Sequence, residues 1–296
     1  MRVGSFDIHA LETSYCALDG GAMFGVVPKV LWQMLMPPDS ENRIPLTTRS
    51  LLLLGDDRRI LVDTGNGDKW SEKLRAIYAI DTESVNITSA LSEFELMEDD
   101  ITDVICTHLH FDHAGGNTCL DESGSVIPAF PNARYWIQKS NWERANAPFE
   151  KDKASYRSEN WEVLAQNGMF KFVDGAEPFI PGIDIELFEG HTDGQQLPRI
   201  SDGETTVFFC GDLFPTAAHL NIPWIMAFDN HPVKTLAEKK RVLAQAADQG
   251  WILVFEHDKK NEAVTVVRDG ERCSVADFIS LEDGASKSHL SGVKSV

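Results

Sequence analysis

Short apolar runs, each bounded by charge or glycine, recur along this chain and predict a strand-rich architecture. Pro45–Leu54 and Arg59–Asp63 flank Gly55-Asp56-Asp57, the pattern of a hairpin. The β-branched run Asp103-Val-Ile-Cys-Thr107 predicts a buried strand. Further strands are expected at Ala133-Tyr-Trp-Ile137, at the alternating Ile183-Asp-Ile-Glu-Leu187, at Thr206-Val-Phe-Phe-Cys210 and at Trp251-Ile-Leu-Val-Phe255. Residues 1–19 form a first strand region of poor periodicity. Helical spacing appears at Ile87–Phe94 and, more clearly, at Thr235–Ala247, where Leu236, Val242, Leu243, Ala246 and Ala247 share a face. There Thr235 and Glu238 have the spacing of a capping box, with Pro232 before and Gly250 as the stop.

Two stretches follow neither period. Ala22–Pro38 is apolar (Phe24, Val26, Val27, Val30, Leu31, Trp32, Met34) and ends in Pro37-Pro38. It either packs as a core-covering loop or lines an apolar substrate entrance. Residues 140–167 are polar and aromatic, with Trp142, Phe149, Tyr156 and Trp161, and read as a helical insertion between core strands. No internal repeat or Gly/Ser-rich linker divides the chain, so residues 1–296 are taken as a single α/β domain with a flexible tail from about residue 282.

Composition narrows the setting. A hydrophobic content of 43% over 296 residues supports a sizeable core. No run approaches the ~18 apolar residues of a membrane span, and residues 1–15 lack the basic start and apolar stretch of a secretory signal. Five cysteines without a C-x-x-C pair fit a reducing compartment, so a cytoplasmic location is expected. Cys106 and Cys210 fall in strands and read as core residues. The formal net charge of −19 repels phosphate backbones and anionic membranes, which argues against nucleic-acid or membrane partners. Nothing in the pattern specifies an oligomer.

The chemistry concentrates in Thr107–Gly116, THLHFDHAGG, which carries His108, His110, Asp112 and His113 directly after a strand. At period two, His108 and His110 point the same way and can reach one ion, while Asp112 and His113 lie further round the turn. That divergence points to two metals. Gly115 and Gly116 are read as residues that let the chain turn tightly into a helix. Isolated metal-ligand types also follow other strands: His191 in Phe188-Glu-Gly-His-Thr192, Asp212 after Cys210-Gly211, and His257 after Phe255-Glu256. Each lies just past a strand's C-terminal end, where open sheets place reactive groups.

This constellation resembles the metallo-β-lactamase superfamily: H-x-H-x-D-H at His108, His110, Asp112 and His113, then His191, Asp212 and His257 in order, with Ile60-Leu-Val-Asp63-Thr-Gly65 upstream. The resemblance implies a four-layer αββα sandwich and two metal ions. It assigns His108, His110 and His191 to one ion, Asp112, His113 and His257 to the other, and Asp212 as the bridge. Asp63 would orient a ligand histidine from behind. Five histidines and two aspartates without a thiolate suit zinc, and also manganese, iron or cobalt. Such a site activates water near neutral pH without a separate general base, so a bridging hydroxide would attack an ester-like carbonyl.

The loop HLHFDHAGGN resembles most closely the acyl-homoserine lactonase branch, implying a lactone or ester of small size as substrate. A glyoxalase II-type thioester hydrolase shares the seven ligands but carries a basic C-terminal region that this chain lacks. A phosphodiesterase and a non-catalytic metal-binding protein are the remaining alternatives. One departure stands out: the family's G-H-T-P-G-H is here Gly190-His-Thr-Asp-Gly-Gln195. The tyrosine that some lactonases place after the bridging aspartate is also missing, and His219 is the nearest polar group. His219 is therefore a candidate hydrogen-bond donor to substrate, alongside Asp112 and Asp212 as catalytic candidates.

Overall fold

A computed structural model describes residues 1–176, 180–270, 272–282 and 286–287. Two seven-stranded sheets face each other. The first contains β1 (Arg2–Val3), β2 (Phe6–Asp19), β3 (Arg43–Leu54), β4 (Arg59–Val62), β5 (Asp103–Ile105), β8 (Arg134–Gln138) and β9 (Phe170–Val173), adjacent in that order. A small hairpin, β6 (Thr118–Leu120) with β7 (Val126–Pro128), lies between them in sequence. The second sheet runs β10 (Ile183–Phe188), β11 (Gln195–Ser201), β12 (Thr206–Phe209), β13 (Ile252–Val254), β14 (Ala263–Asp269), β15 (Arg272–Ile279) and β16 (Ser286–Lys287). The first sheet is antiparallel from β1 to β4 and parallel from β4 through β5 and β8 to β9, whereas the described strands of the second are antiparallel apart from the parallel pair β12–β13.

Alternation explains the layering. Ile8, Leu51, Leu53, Ile60, Val62 and Ile105 of the first sheet meet Ile183, Ile185, Ile200, Val207, Phe209 and Val254 of the second in one apolar core. The opposite face of the first sheet, with Leu52, Leu61 and Val104, is covered by α4 (Ile87–Ser92), α6 (Lys139–Asn146) and α7 (Glu162–Gln166). The outer face of the second sheet, with Phe208 and Leu253, is covered by Val242, Leu243 and Ala246 of α8 (Pro232–Gln249). This is the expected four-layer αββα sandwich. Among the described residues no helix is long and apolar enough to cross a membrane.

Several local expectations shift. The weak periodicity of residues 1–19 has a cause: β2 is one 14-residue strand whose register against β3 slips between Glu12 and Ser14, so its alternation changes phase midway. Helix α8 begins three residues earlier than expected, with Pro232 at its first turn, and Thr235 makes no cap hydrogen bond. The hairpin of β14 and β15 carries no strong pattern and was not anticipated. The expected tail from residue 282 lies largely outside the described residues.

The apolar stretch after Asp19 divides. Asp19 caps α1 (Gly20–Phe24) by accepting from the Ala22 N–H, and a second short helix, α2, spans Lys29–Trp32. Met23, Phe24 and Trp32 are buried together with Ile44, Leu46 and Met226, and the Trp32 ring stacks on Phe24 with centroids 5.2 Å apart. Gly20 lies so close beneath the indole that any side chain there would overlap it. Val26, Val30 and Met34 point to solvent. Trp32 therefore belongs to the core, and Trp32→Ala should lower unfolding stability by about 3–5 kcal/mol. Denaturant titration would read this. An unfolding stability within about 1 kcal/mol of wild type would instead take the indole out of the core.

Candidate metal centre

The seven residues named from sequence converge just beyond the C-terminal ends of β5, β10, β12 and β13. Strand β5 delivers His108 and His110, then the one-turn helix α5 (Phe111–Ala114) carries Asp112 and His113. His191 follows β10, Asp212 follows β12, and His257 follows β13. All seven are buried. Their donor atoms fall into two groups, His108–His110–His191–Asp212 and Asp112–His113–His257, each within 4.8 Å.

Asp212 touches both groups. Its Oδ2 lies 2.9 Å from His191 Nε2 and 3.4 Å from His113 Nε2, and its Oδ1 lies 3.2 Å from His257 Nε2. His110 Nδ1 stands 3.0 Å from His108 Nε2 and 3.1 Å from His191 Nε2. Three imidazole nitrogens crowd one point, and a cation there would be ligated by each ring in its neutral form.

Electrostatics make the same demand. Burial, reinforced by neighbouring imidazoles, pushes His108 and His110 well below the ordinary histidine range, so both are neutral and able to ligate. Burial also opposes charge on His191 and His257, but Asp212 outweighs it and holds both up at about 9. Burial works against the Asp212 carboxylate too, and His191 and His113 overcome it, keeping the group well below the usual carboxylate range. The carboxylates thus draw positive charge into a water-poor cluster. Divalent cations meet that need, and the donor set fits them.

A second ring of groups aims the histidines. Asp63, at the end of β4, accepts from the Thr107 N–H and hydroxyl at 2.6 Å each and from His113 Nδ1–H at 3.0 Å. This is the orienting place expected of it. His191 Nδ1–H donates to Asp229 at 2.8 Å, and His257 Nδ1–H donates to the Thr47 carbonyl at 3.0 Å. Such partners fix which ring nitrogen is left to ligate. Glu256 also lies 2.9 Å from His113 Nδ1 but off the angle of a hydrogen bond, fully buried, with burial pushing its carboxyl up to about 8.

Asp229, Glu256 and Asn141 were not singled out from sequence. Asn141, on α6, accepts from the Leu109 N–H at 3.0 Å and donates to the Asp193 carbonyl at 2.8 Å, so it ties the two histidine loops together. The only local signal among the three is Glu256, an acid closing an apolar strand beside His257. The unusual Asp193 also has a place, since Arg144 Nε donates to its Oδ2 at 3.0 Å. Glu238, expected to cap α8, instead accepts from the Glu189 and Gly190 N–H groups at 2.8 and 3.1 Å, just before His191.

Gly115 and Gly116 serve closeness rather than turning. Side chains there would overlap the backbone carbonyls of Asn66 and Thr64, so their absence seats α5 against the loop after β4. His219 also departs from expectation. Its Nε2–H donates to the Met23 carbonyl and its Nδ1 accepts from the Thr216 hydroxyl, both at 2.8 Å, while its ring stacks on Phe24. Burial, with Lys239 adding to it, pushes its pKa down to about 3. With both nitrogens engaged, His219 is a strut between α1 and the loop after Asp212, without a free donor for substrate. Around the cluster, Phe111 meets Trp70 and Tyr78 at 5.2 Å, and the Tyr156 ring packs edgewise on His110.

An αββα sandwich with a buried five-histidine, two-aspartate centre at its strand ends defines a class of metal-dependent proteins. The family model for the metallo-beta-lactamase superfamily matches residues 43–257, and the chain belongs to that superfamily. An N-acyl homoserine lactonase of Bacillus cereus is 30% identical over 165 residues, 52% of this chain and 58% of the relative. One from Bacillus thuringiensis is 27% identical over 184 residues, 61% and 65%. The chain thus spans less than two thirds of the length of these relatives. Among solved structures, a probable metal-dependent hydrolase from Staphylococcus aureus superposes with a TM-score of 0.86 at 31% identity, covering 95% of this chain and 98% of that one. The dizinc quorum-quenching lactonase AidC, in complex with a product, superposes at 0.74 with 20% identity, covering 93% and 95%. At that identity the likeness is one of fold.

Proposed function

We propose that this protein hydrolyses small, neutral lactones or carboxylic esters with two divalent cations, zinc being the first candidate. His108, His110 and His191 would hold one ion, Asp112, His113 and His257 the other, and Asp212 would bridge. Such a pair supplies Lewis acidity and a nucleophile from water near neutral pH. The observation that carries this reading is Asp212, set between two otherwise complete ligand groups. The relatives named as N-acyl homoserine lactonases support the substrate class.

The chain's own contribution is preorganisation. Asp63 and Asp229 fix His113 and His191 with Nδ1–H outward, so that each Nε2 faces the cluster. Asn141 sets the spacing of the two histidine loops. The Phe111, Trp70 and Tyr78 rings, packed on one another beside the turn that carries Asp112 and His113, would suit an uncharged acyl group better than a polyanion.

Protein prepared without chelator should contain close to two metal ions per chain. On a panel of γ-lactone, aryl ester, thioester and phosphodiester, turnover should appear on the lactone or ester, vanish with chelator and return with zinc. Cleavage confined to phosphodiesters, or to thioesters, would replace the proposed substrate class. A firm single ion per chain would remove the dinuclear site.

A further inference from the structure

Arg49 is a cation buried in the interior of the sandwich, 4% exposed, and no step above uses it. It lies on β3, two residues after Thr47 and so on the same face of the strand. Its guanidinium donates through Nη1 to the Phe255 carbonyl at 2.5 Å and through Nη2 to the Asp258 carbonyl at 3.0 Å. Those carbonyls stand at the two ends of Phe255-Glu256-His257-Asp258. Within that span the Thr47 carbonyl accepts from His257 Nδ1–H, and the Thr47 N–H donates to the His257 carbonyl at 3.4 Å. One strand of the first sheet thus fixes the position of a ligand supplied by the second. Glu12 completes the arrangement as the carboxylate partner of Arg49, at 3.3 Å.

A rigid guanidinium fork suits this task. Its donors leave in fixed directions, so two carbonyls bound at once determine the shape of the segment between them, whereas a lysine ammonium is a point charge on a flexible stem. Only His257 among the ligands lies on the clamped segment. His191 is oriented by Asp229 instead, and the loops carrying His108, His110 and His191 are tied by Asn141.

We propose that Arg49 is a positioning residue for His257, and so for the cation shared by Asp112, His113 and His257, while the cation of His108, His110 and His191 does not depend on it. The proposal rests on the two-cation reading. It is tested by stepwise titration of Zn²⁺ or Co²⁺ into chelator-stripped wild type, Arg49→Lys, Arg49→Met and Asp229→Ala. A chromophoric chelator reads affinity, Co²⁺ absorption reads ligand geometry, and circular dichroism confirms the fold.

In Arg49→Lys one binding step should weaken about 10–100-fold, the range for groups that orient metal ligands, and the other should stay within about threefold of wild type. Asp229→Ala should weaken the opposite step. Arg49→Met should behave as an exaggerated Arg49→Lys; if it does not fold, the lysine variant decides. A folded Arg49→Lys with both steps at wild-type affinity overturns the proposal. So do equal losses in both steps, or losses in the same step that Asp229→Ala affects. Wild type that binds only a single ion would instead overturn the two-cation reading itself.

Discussion

Asp212→Ala should abolish nearly all turnover and release metal from an otherwise folded chain. Groups one step removed from an ion typically contribute 10–100-fold. Asp212 faces both ligand groups directly, so a loss of roughly 10³ or more in kcat/KM is expected, beyond that second-ring range. The structure also explains why metal should leave. Asp212 is the negative group that most holds His191 and His257 in their raised, charge-accepting state. Without it, two cations would sit among five imidazoles with only Asp112 as a direct anionic ligand. Asp212→Asn retains the volume and one carbonyl oxygen but not the charge, so it should lose metal nearly as readily. Elemental analysis and lactone or ester turnover of both variants check this. Two tightly held ions with wild-type turnover in Asp212→Ala would remove the bridge.

The ligands were legible in the sequence because their chemistry is rare and their setting is local. His191, Asp212 and His257 each stand just after a short apolar run, and the other four fall within six residues between β5 and the end of α5. The groups that aim them were not legible. Asp229 lies 38 residues beyond His191 in sequence, in an ordinary polar turn. Arg49 reads as one charge in an apolar strand, and only pairing across the two sheets shows what it holds. Asn141 sits in a polar helix whose sequence resembles any surface helix.

The capping-box reading of Thr235 and Glu238 failed for a related reason. The spacing is right, but Glu238 has better-placed donors in the Glu189–Gly190 backbone, and Pro232 had already started the helix. His219 was misjudged because a buried histidine near a site looks the same in sequence whether its nitrogens are free or taken. Local pattern thus located the elements and the reactive ends. The tertiary contacts that make the ends into a site join residues tens to hundreds of positions apart, and local pattern carries no trace of them.

Removing the ions should produce a stability loss that depends on pH in a definite direction. His191 and His257 are held up at about 9 from an ordinary 6.5. Their protonation therefore stabilises a chelator-stripped chain fully below pH 6.5, and that contribution is lost as pH rises through 9. Cation binding needs both rings neutral, so loading releases protons and tightens across the same window. The depressed Asp212 acts at the other end: its contribution is present above 3.8 and disappears as pH falls through its lowered value. At a free zinc concentration 1,000 times Kd, each site adds about 4 kcal/mol. The difference in thermal midpoint between zinc-loaded and stripped protein should therefore be large, and should widen from pH 6.5 towards 9. Scans of both forms at several pH values would read it directly. A difference that stays constant or narrows as pH rises would mean that cations do not displace protons from His191 and His257, and those two rings would have to be struck from the ligand set.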